Sequence, residues 1–430
     1  MKTAVELRAA FAARELSPVE LIDAAAEHAE LGAFVTLTLE RAREEAKAAE
    51  RAYRDGTARP LEGLTLAVKD LYDTEGVPTT YGSSIFKGHV PKADAFAVQR
   101  AKSAGAIVVG KTLTHEFAWG ITSNNPHFPP CCNPWDAERI PGGSSGGSAV
   151  ALATGGAALA LATDTGGSIR IPAAFCGVSG LKPTYNQIPA TGVFPLARSL
   201  DHAGPMGRTP ADVRLFYAAL TGSRTHPLDA APSVAICPDL HLHPLTPGIQ
   251  RAFDGAATAL GAFEVGFDEA ARIYPAFVAI QSVEAALAHS VLFPTRKAEY
   301  GEDVAARIER ARTVTVDEYV EATATRERLR TNFARVFAAA DLLLTPIHAL
   351  PPELRGVGAQ SFRDAVLPYT VPQNLAGLPS AAVPVGFDEH GLPVGVQLTG
   401  PAWSEGRVLA AAEALFSATA SAREESASIL

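Results

Sequence analysis

The sequence predicts an α/β fold, one α/β/α layered domain around a large, mixed, mostly parallel central sheet. Three observations carry that expectation. From Leu61 onward, short apolar runs alternate with helical stretches, the pattern of strands covered by helices on both faces. The 430 residues are 47% hydrophobic and 19% charged, enough to bury a large core beneath a modest polar surface. Between Ile140 and Thr163 there is no charged residue, yet six glycines and several Ser/Thr interrupt the run. It reads as a buried helix followed by a buried strand, not as a membrane span.

Residues 1–60 read as an N-terminal helical cover. Ser17-Pro18-Val19-Glu20 is a capping box with proline at the first helical position, and Leu16 and Leu21 fit a hydrophobic staple. Leu39–Arg54 follows as a helix with an alanine face and alternating charges elsewhere. Within the main domain, 61–410, the expected strands are Thr65–Val68, Ala106–Val109, Ala157–Ala162, Val234–Cys237, Leu342–Leu344 and Val394–Leu398. Residues 228–340 read as helical decoration of that domain, ending in a long helix over Asp317–Ala340. Residues 411–430 read as a C-terminal helix or tail. No repeat and no low-complexity linker is present.

The formal charge of −9 is spread out, without a basic run, which disfavours phosphate-based nucleic-acid binding. Four cysteines, Cys131, Cys132, Cys176 and Cys237, suit a reducing compartment. The first residues carry early charges and no apolar signal core. A soluble, cytoplasmic protein is expected, with no membrane partner. His241-Leu242-His243 has no acidic or cysteine neighbour to complete a metal site, so no metal or cofactor is expected.

The chemistry concentrates in two glycine-dense turns, Gly142-Gly143-Ser144-Ser145-Gly146-Gly147-Ser148 and Asp164-Thr165-Gly166-Gly167-Ser168-Ile169-Arg170. Glycine tolerates unusual backbone and lets a ligand approach the main chain closely. Upstream, Lys69 ends the apolar run Leu66-Ala67-Val68, and burial pushes a lysine toward its neutral, basic form. Two serines and such a lysine supply a nucleophile and base without a histidine. Acyl transfer also needs donors for the developing oxyanion. Main-chain N–H groups from Thr165 through Gly166 and Gly167 to Ser168 can converge on one. A plain strand-to-helix turn is the structural alternative for an isolated Thr-Gly-Gly-Ser. Asp164 and Arg170 flank the turn as an ion pair that would stiffen it.

The run from Pro141 to Pro183 resembles the amidase signature family, serine hydrolases with a Ser–cis-Ser–Lys triad. Val68-Lys69-Asp70, Asn133-Pro134-Trp135-Asp136, Asn374–Pro379 and Gly395–Leu398 agree with it. The resemblance implies that Ser168 is the acylated nucleophile. Ser144, preceded by a cis peptide from Gly143, is the bridging serine, and Lys69 is the base. A model lysine titrates near pKa 10.4, so desolvation must lower Lys69 by roughly 2 units or more. The expected reaction is hydrolysis of a small-molecule amide by a stand-alone enzyme, with a homodimer left open. The acyl pocket is expected in the loops His115–Cys132 and Pro346–Tyr369, with Trp119 and Cys132 in its wall.

Three rivals remain. The family also contains the glutamine-amidotransferase subunit that matures misacylated transfer RNA within a complex. Gly143-Ser144-Ser145-Gly146-Gly147 satisfies the nucleophile-elbow pattern of α/β-hydrolases, with Ser145 as nucleophile. The preceding segment is polar and proline-broken, and His348 and His390 lie in ordinary loops. A phosphate loop lacks its Gly-Lys-Ser/Thr ending.

Overall fold

The computed structural model describes residues 1–223, 230–358 and 360–427. Its eleven described strands form one mixed sheet. They are β1 (Phe34–Leu37), β2 (Thr65–Lys69), β3 (Ile107–Thr112), β4 (Leu159–Asp164), β5 (Ser179–Lys182), β6 (His202–Gly207), β7 (Val234–Ile236), β8 (Phe263–Glu264), β9 (Leu342–Pro346), β10 (Ser380–Phe387) and β11 (Pro393–Thr399). Their order across the sheet is β1-β3-β2-β4-β6-β5-β10-β11-β9-β7-β8.

The single α/β domain and large mixed sheet match the expectation, but "mostly parallel" needs correcting. Four of the ten pairings are parallel and six are antiparallel. The parallel pairs are β2 with β3 and β4, and β7 with β8 and β9. The antiparallel centre uses β5, β6 and β10, none of them expected. Pro205 sits in β6, and β10 changes register beyond Pro384. Such strands have weak local propensity and exist because both neighbours pair with them. Antiparallel neighbours also need no helical crossover, as in the short turn between β10 and β11.

The six expected strands are all present, and β2 and β4 show how the layers arise. Ala67, Ala160 and Ala162 pack in one core cluster with Ala149, Phe175 and Phe277. Leu66, Val68, Leu159 and Leu161 pack in the other, with Phe216 and Val408. Period-two alternation therefore sends small residues to one face and branched ones to the other. The alanine face lets the helix Gly146–Ala153 lie close to the sheet.

The helical reading of residues 1–60 is right for Ala4–Ala13 and for Leu39–Arg54, which forms with the expected bounds. It misses β1, which pairs antiparallel with β3. The Ser17–Glu20 capping box forms, but over a single 3-10 turn, Pro18–Leu21. The long helix runs Val316–Ala339. Within 228–340 the chain is helical but also supplies β7 and β8, which complete one edge of the sheet. The start of that segment and the last three residues of the C-terminal tail lie outside the described residues. No single described helix is long and apolar enough to cross a membrane.

Candidate active site

Lys69 is the last residue of β2, and Asp164 the last of β4, on adjacent parallel strands. Carboxyl ends of parallel strands are where open α/β sheets leave room for a site. The Lys69 Nζ lies 2.8 Å from Ser144 Oγ, 2.8 Å from Ser145 Oγ and 2.8 Å from Thr163 Oγ1. Among the described residues three lysines are fully buried: Lys69, Lys111 and Lys182. Lys111 faces Asp70 at 3.2 Å, and Lys182 donates to the carbonyls of Pro183 and Leu378. Lys111 also donates to the Thr79 hydroxyl and the Tyr72 carbonyl; of the three, Lys69 is the one whose hydrogen-bond partners are all hydroxyls. Burial pulls its pKa well below the ordinary lysine range, against the opposing charges of Asp164 and Asp201.

The segment carrying Ser144 is wedged against the loop around Ser123, and the Gly143–Ser144 peptide is cis. The Ser123 hydroxyl donates to the Gly142 carbonyl at 2.8 Å and accepts from Gly146 N–H at 3.1 Å. A Cβ on Gly143 would lie 2.8 Å from the Ser123 nitrogen, so only glycine fits there.

The second turn is fastened by several groups. Asp164 accepts from Gly167 N–H (2.8 Å), Ile169 N–H (3.1 Å), Arg170 Nε (3.0 Å) and Nη2 (2.9 Å), and Asn374 Nδ2 (2.8 Å). Thr370 donates its hydroxyl to the Gly166 carbonyl at 2.6 Å, and Thr165 donates to Asp201 at 2.7 Å. Gly167 has φ +126°, and a Cβ there would meet Thr370 Oγ1 at 2.5 Å. The Gly167 N–H is thus engaged by Asp164. That narrows the expected oxyanion donors to Thr165, Gly166 and Ser168, whose N–H groups have no partner among the described residues. Ser168 is a buried residue, and its hydroxyl likewise has no hydrogen-bond partner among the described residues, Ser144 included.

Asp164 and Arg170 form the ion pair expected from sequence, fully buried. Burial pushes the Asp164 carboxyl upward, but the charge and hydrogen bonds of Arg170 hold it well below the usual carboxylate range. Arg170 also donates to Gln397 at 2.8 Å and Asn374 at 2.6 Å, knitting the turn to β11. Arg170→Ala leaves Asp164 buried and uncompensated. A loss of about 3–5 kcal/mol in urea-unfolding stability is expected, and a loss below about 1 kcal/mol would mean the pair is not a strut.

A cleft of about 1270 Å³ is walled by the two loops expected to form the pocket and by the segment Ala298–Arg307. Trp119 and Cys132 are not among its lining residues. Trp119 is buried in an aromatic cluster with Tyr81 and Phe117, while Ile121, Thr122 and Pro130 face the cleft. Cys132 is buried too, its N–H donating to the Leu31 carbonyl. The loop's bulky residues fill the core, where they remove most apolar area from water.

The α/β-hydrolase rival finds little footing. Ser145 Oγ is held between Lys69 and the Thr163 carbonyl (3.3 Å). His348 hydrogen-bonds the Leu350 carbonyl, and His390 is exposed. Among the described residues, no cluster of three His, Cys, Asp or Glu could hold a metal ion.

Residues 19–409 match the family model described as Amidase. The chain belongs to the amidase signature family. It is 38% identical over 471 residues to a glutamyl-tRNA(Gln) amidotransferase subunit from Thermus thermophilus, covering 97% of each chain. Among solved structures it resembles an amidase at TM-score 0.91 and 34% identity, covering 97% of this chain and 99% of that one. It also resembles, at TM-score 0.92 and 32% identity, a protein from a vestigial complex bearing on the origins of an s-triazine catabolic enzyme; 98% of this chain and 99% of that one are covered.

Several residues of this amidase-signature site escape a reading of its sequence. Thr163, Asp201 and Thr370 carry no motif and act only through position. Asn374 and Gln397 lie inside segments the resemblance picks out, but their shared hold on Arg170 needs the folded sheet. Three arginines line the cleft without any motif to mark them: Arg307, from a helix read as decoration, and Arg355 and Arg363, from within the second pocket loop.

Proposed function

We propose that the chain hydrolyses a carboxylic amide through an acyl-serine intermediate on Ser168. One observation carries this reading: the buried Lys69 Nζ has hydroxyls as its partners, one of them Ser144 at 2.8 Å. A neutral amine there accepts the Ser144 proton as Ser144 accepts that of Ser168. Ser168 Oγ attacks the carbonyl carbon, and the N–H groups of Thr165, Gly166 and Ser168 receive the oxyanion. The proton returns through Ser144 to the leaving nitrogen. Water then attacks the acyl carbon, and Ser168 is restored. The four free, buried cysteines suit a reducing compartment such as the cytoplasm.

A second reading, an amidotransferase-type subunit that releases ammonia from glutamine within a complex, is favoured by the curated relatives. The cleft supports a substrate of that charge. Arg307 and Arg363 lie close enough to act on each other and on the His115 ring, which faces Asp303 at 3.0 Å, while the His115 main-chain N–H donates to the Ser144 carbonyl. Asp303 lies 3.4 Å from Arg307 and its charge also reaches Arg363, beside that of Asp364, while Arg363 Nη1 is buried without a hydrogen-bond partner among the described residues. A carboxylate on the acyl group would complete the cluster.

Both readings are tested by following ammonia release from glutamine, other carboxylated amides and neutral amides, with the purified chain alone and after co-expression with its genomic neighbours. Turnover by the chain alone supports the stand-alone enzyme. Turnover only with a co-purifying partner supports the subunit. Arg363→Ala should raise KM for carboxylated amides about tenfold or more while leaving neutral amides unchanged. An equal change for both would remove the anionic-substrate reading.

A further inference from the structure

Asp201 is a half-buried carboxylate that the mechanism above leaves without a task. Antiparallel pairing sets Asp164 opposite His202, so the next residue outward, Thr165, meets Asp201. The Asp201 carboxylate accepts the Thr165 hydroxyl at 2.7 Å, Leu196 N–H at 3.0 Å and Ala197 N–H at 3.1 Å. Two residues earlier, Ser199 is held by Glu284 and by Arg326. Asp201 therefore bolts the nucleophile turn to a loop anchored on two long helices.

We propose that Asp201 is a positioning residue for the acyl transfer: through the Thr165 side chain it aims the Thr165 main-chain N–H at the oxyanion. The inference rests on the acyl-serine reading. The geometry is suited to it because Gly166 and Gly167 follow directly and cannot stiffen the turn themselves. Their other fasteners act elsewhere, Thr370 on the Gly166 carbonyl and Asp164 on the Gly167 N–H. The Thr165 N–H shares its peptide plane with the Asp164 carbonyl, which Asn374 Nδ2 (3.1 Å) and the His202 ring (3.2 Å) hold on one side, while the Thr165 side chain bonded to Asp201 holds it on the other.

Asp201 also faces the base. Thr163, which hydrogen-bonds Lys69, lines one small cavity together with Thr165, Asp201 and His202. The titratable groups around Asp201 are Lys69 on β2, Asp164 on β4, His202 on β6, Glu284 on the helix Ala270–Ala288, and Tyr185. Burial pushes the Asp201 carboxyl up to about 6, against the hydrogen bonds from Thr165, Ala197 and Leu196. Its negative charge favours the protonated form of Lys69, so its removal should make Lys69 lose its proton at lower pH.

The test compares Thr165→Val and Asp201→Asn with the wild-type chain in full pH profiles of amide hydrolysis. Thr165→Val keeps shape and charge and removes only the hydrogen bond. It should lower kcat roughly 10²-fold, the lower end of what losing one oxyanion donor costs, with KM within about threefold. Thr165→Ser, which keeps the hydroxyl, should recover most of that loss. Asp201→Asn should lower kcat similarly and also move the acid limb to lower pH, which a merely structural role would not do. Near-wild-type kcat in Thr165→Val, or an unmoved limb in a folded Asp201→Asn, overturns the proposal. Should Asp201→Asn not fold, the Thr165 pair decides. Retained activity in Ser168→Ala would instead sink the acyl-serine reading itself.

Discussion

Ser168→Ala should lower amide turnover by about 10⁴–10⁶-fold and abolish labelling by a serine-directed fluorophosphonate, with little change in stability. Knocking out a nucleophile removes the covalent route and leaves only what binding and the oxyanion donors supply. Of Ser144, Ser145 and Ser168, the last is the one that Lys69 does not engage, so its hydroxyl is available to a carbonyl. Competing nucleophiles are poorly placed. Burial raises the Cys131 and Cys176 thiols far above their ordinary range, and Cys237 to about 12. Intact-mass analysis of the labelled protein checks the assignment. An adduct on Ser145 or on a cysteine would refute it.

Lys69→Ala should lower amide hydrolysis by at least 10²–10⁴-fold, whereas no single His→Ala change should exceed about tenfold. In the proposed mechanism Lys69 serves twice, taking the proton from Ser144 and returning it toward the leaving amine. Esters should suffer less than amides, because an alkoxide departs with less protonation than an amine. The pH dependence follows from burial. Desolvation disfavours the ammonium form, so the folded-state pKa of Lys69 falls and the reactive amine gains as pH rises through that lowered value. Activity should therefore rise along an acid limb well below the ordinary lysine pKa, and that limb should be lost in Lys69→Ala. By linkage, an amine whose pKa is depressed on folding costs stability at neutral pH, so Lys69→Met should fold at least as stably as wild type. Near-normal turnover in Lys69→Ala with collapse in a histidine variant would restore the hydrolase rival.

Much of the site is legible in the residues because its chemistry is local. Gly143 and Gly167 stand where any Cβ would strike Ser123 or Thr370, so glycine marks the turns even when the turns are not yet seen. Lys69 at the end of an apolar run announces its own burial. The pocket wall is less legible: Trp119 and Cys132 are the conspicuous residues of their loop, but the core claims both, and plainer neighbours face the cleft. Arg307 and Arg363 look like ordinary surface charges until two segments more than fifty residues apart converge.

The sequence by itself determined the six strands with strong apolar signatures, the two long helices, the serine-bearing turns and the buried lysine. Each depends on period, composition or steric permission within a few neighbouring residues. Tertiary structure alone decided the antiparallel centre of the sheet, because β5, β6 and β10 have no local drive and form only when flanked on both sides. It alone decided that Gly167 N–H serves Asp164 and not an oxyanion. It alone brought Asp201 to Thr165, Thr370 to Gly166 and Asn374 to Arg170, since those partners are set by strand register and helix packing across 36 to 204 residues of chain. A hydrogen bond has a reach of about 3 Å, and no spacing along the chain encodes which distant group will arrive within it.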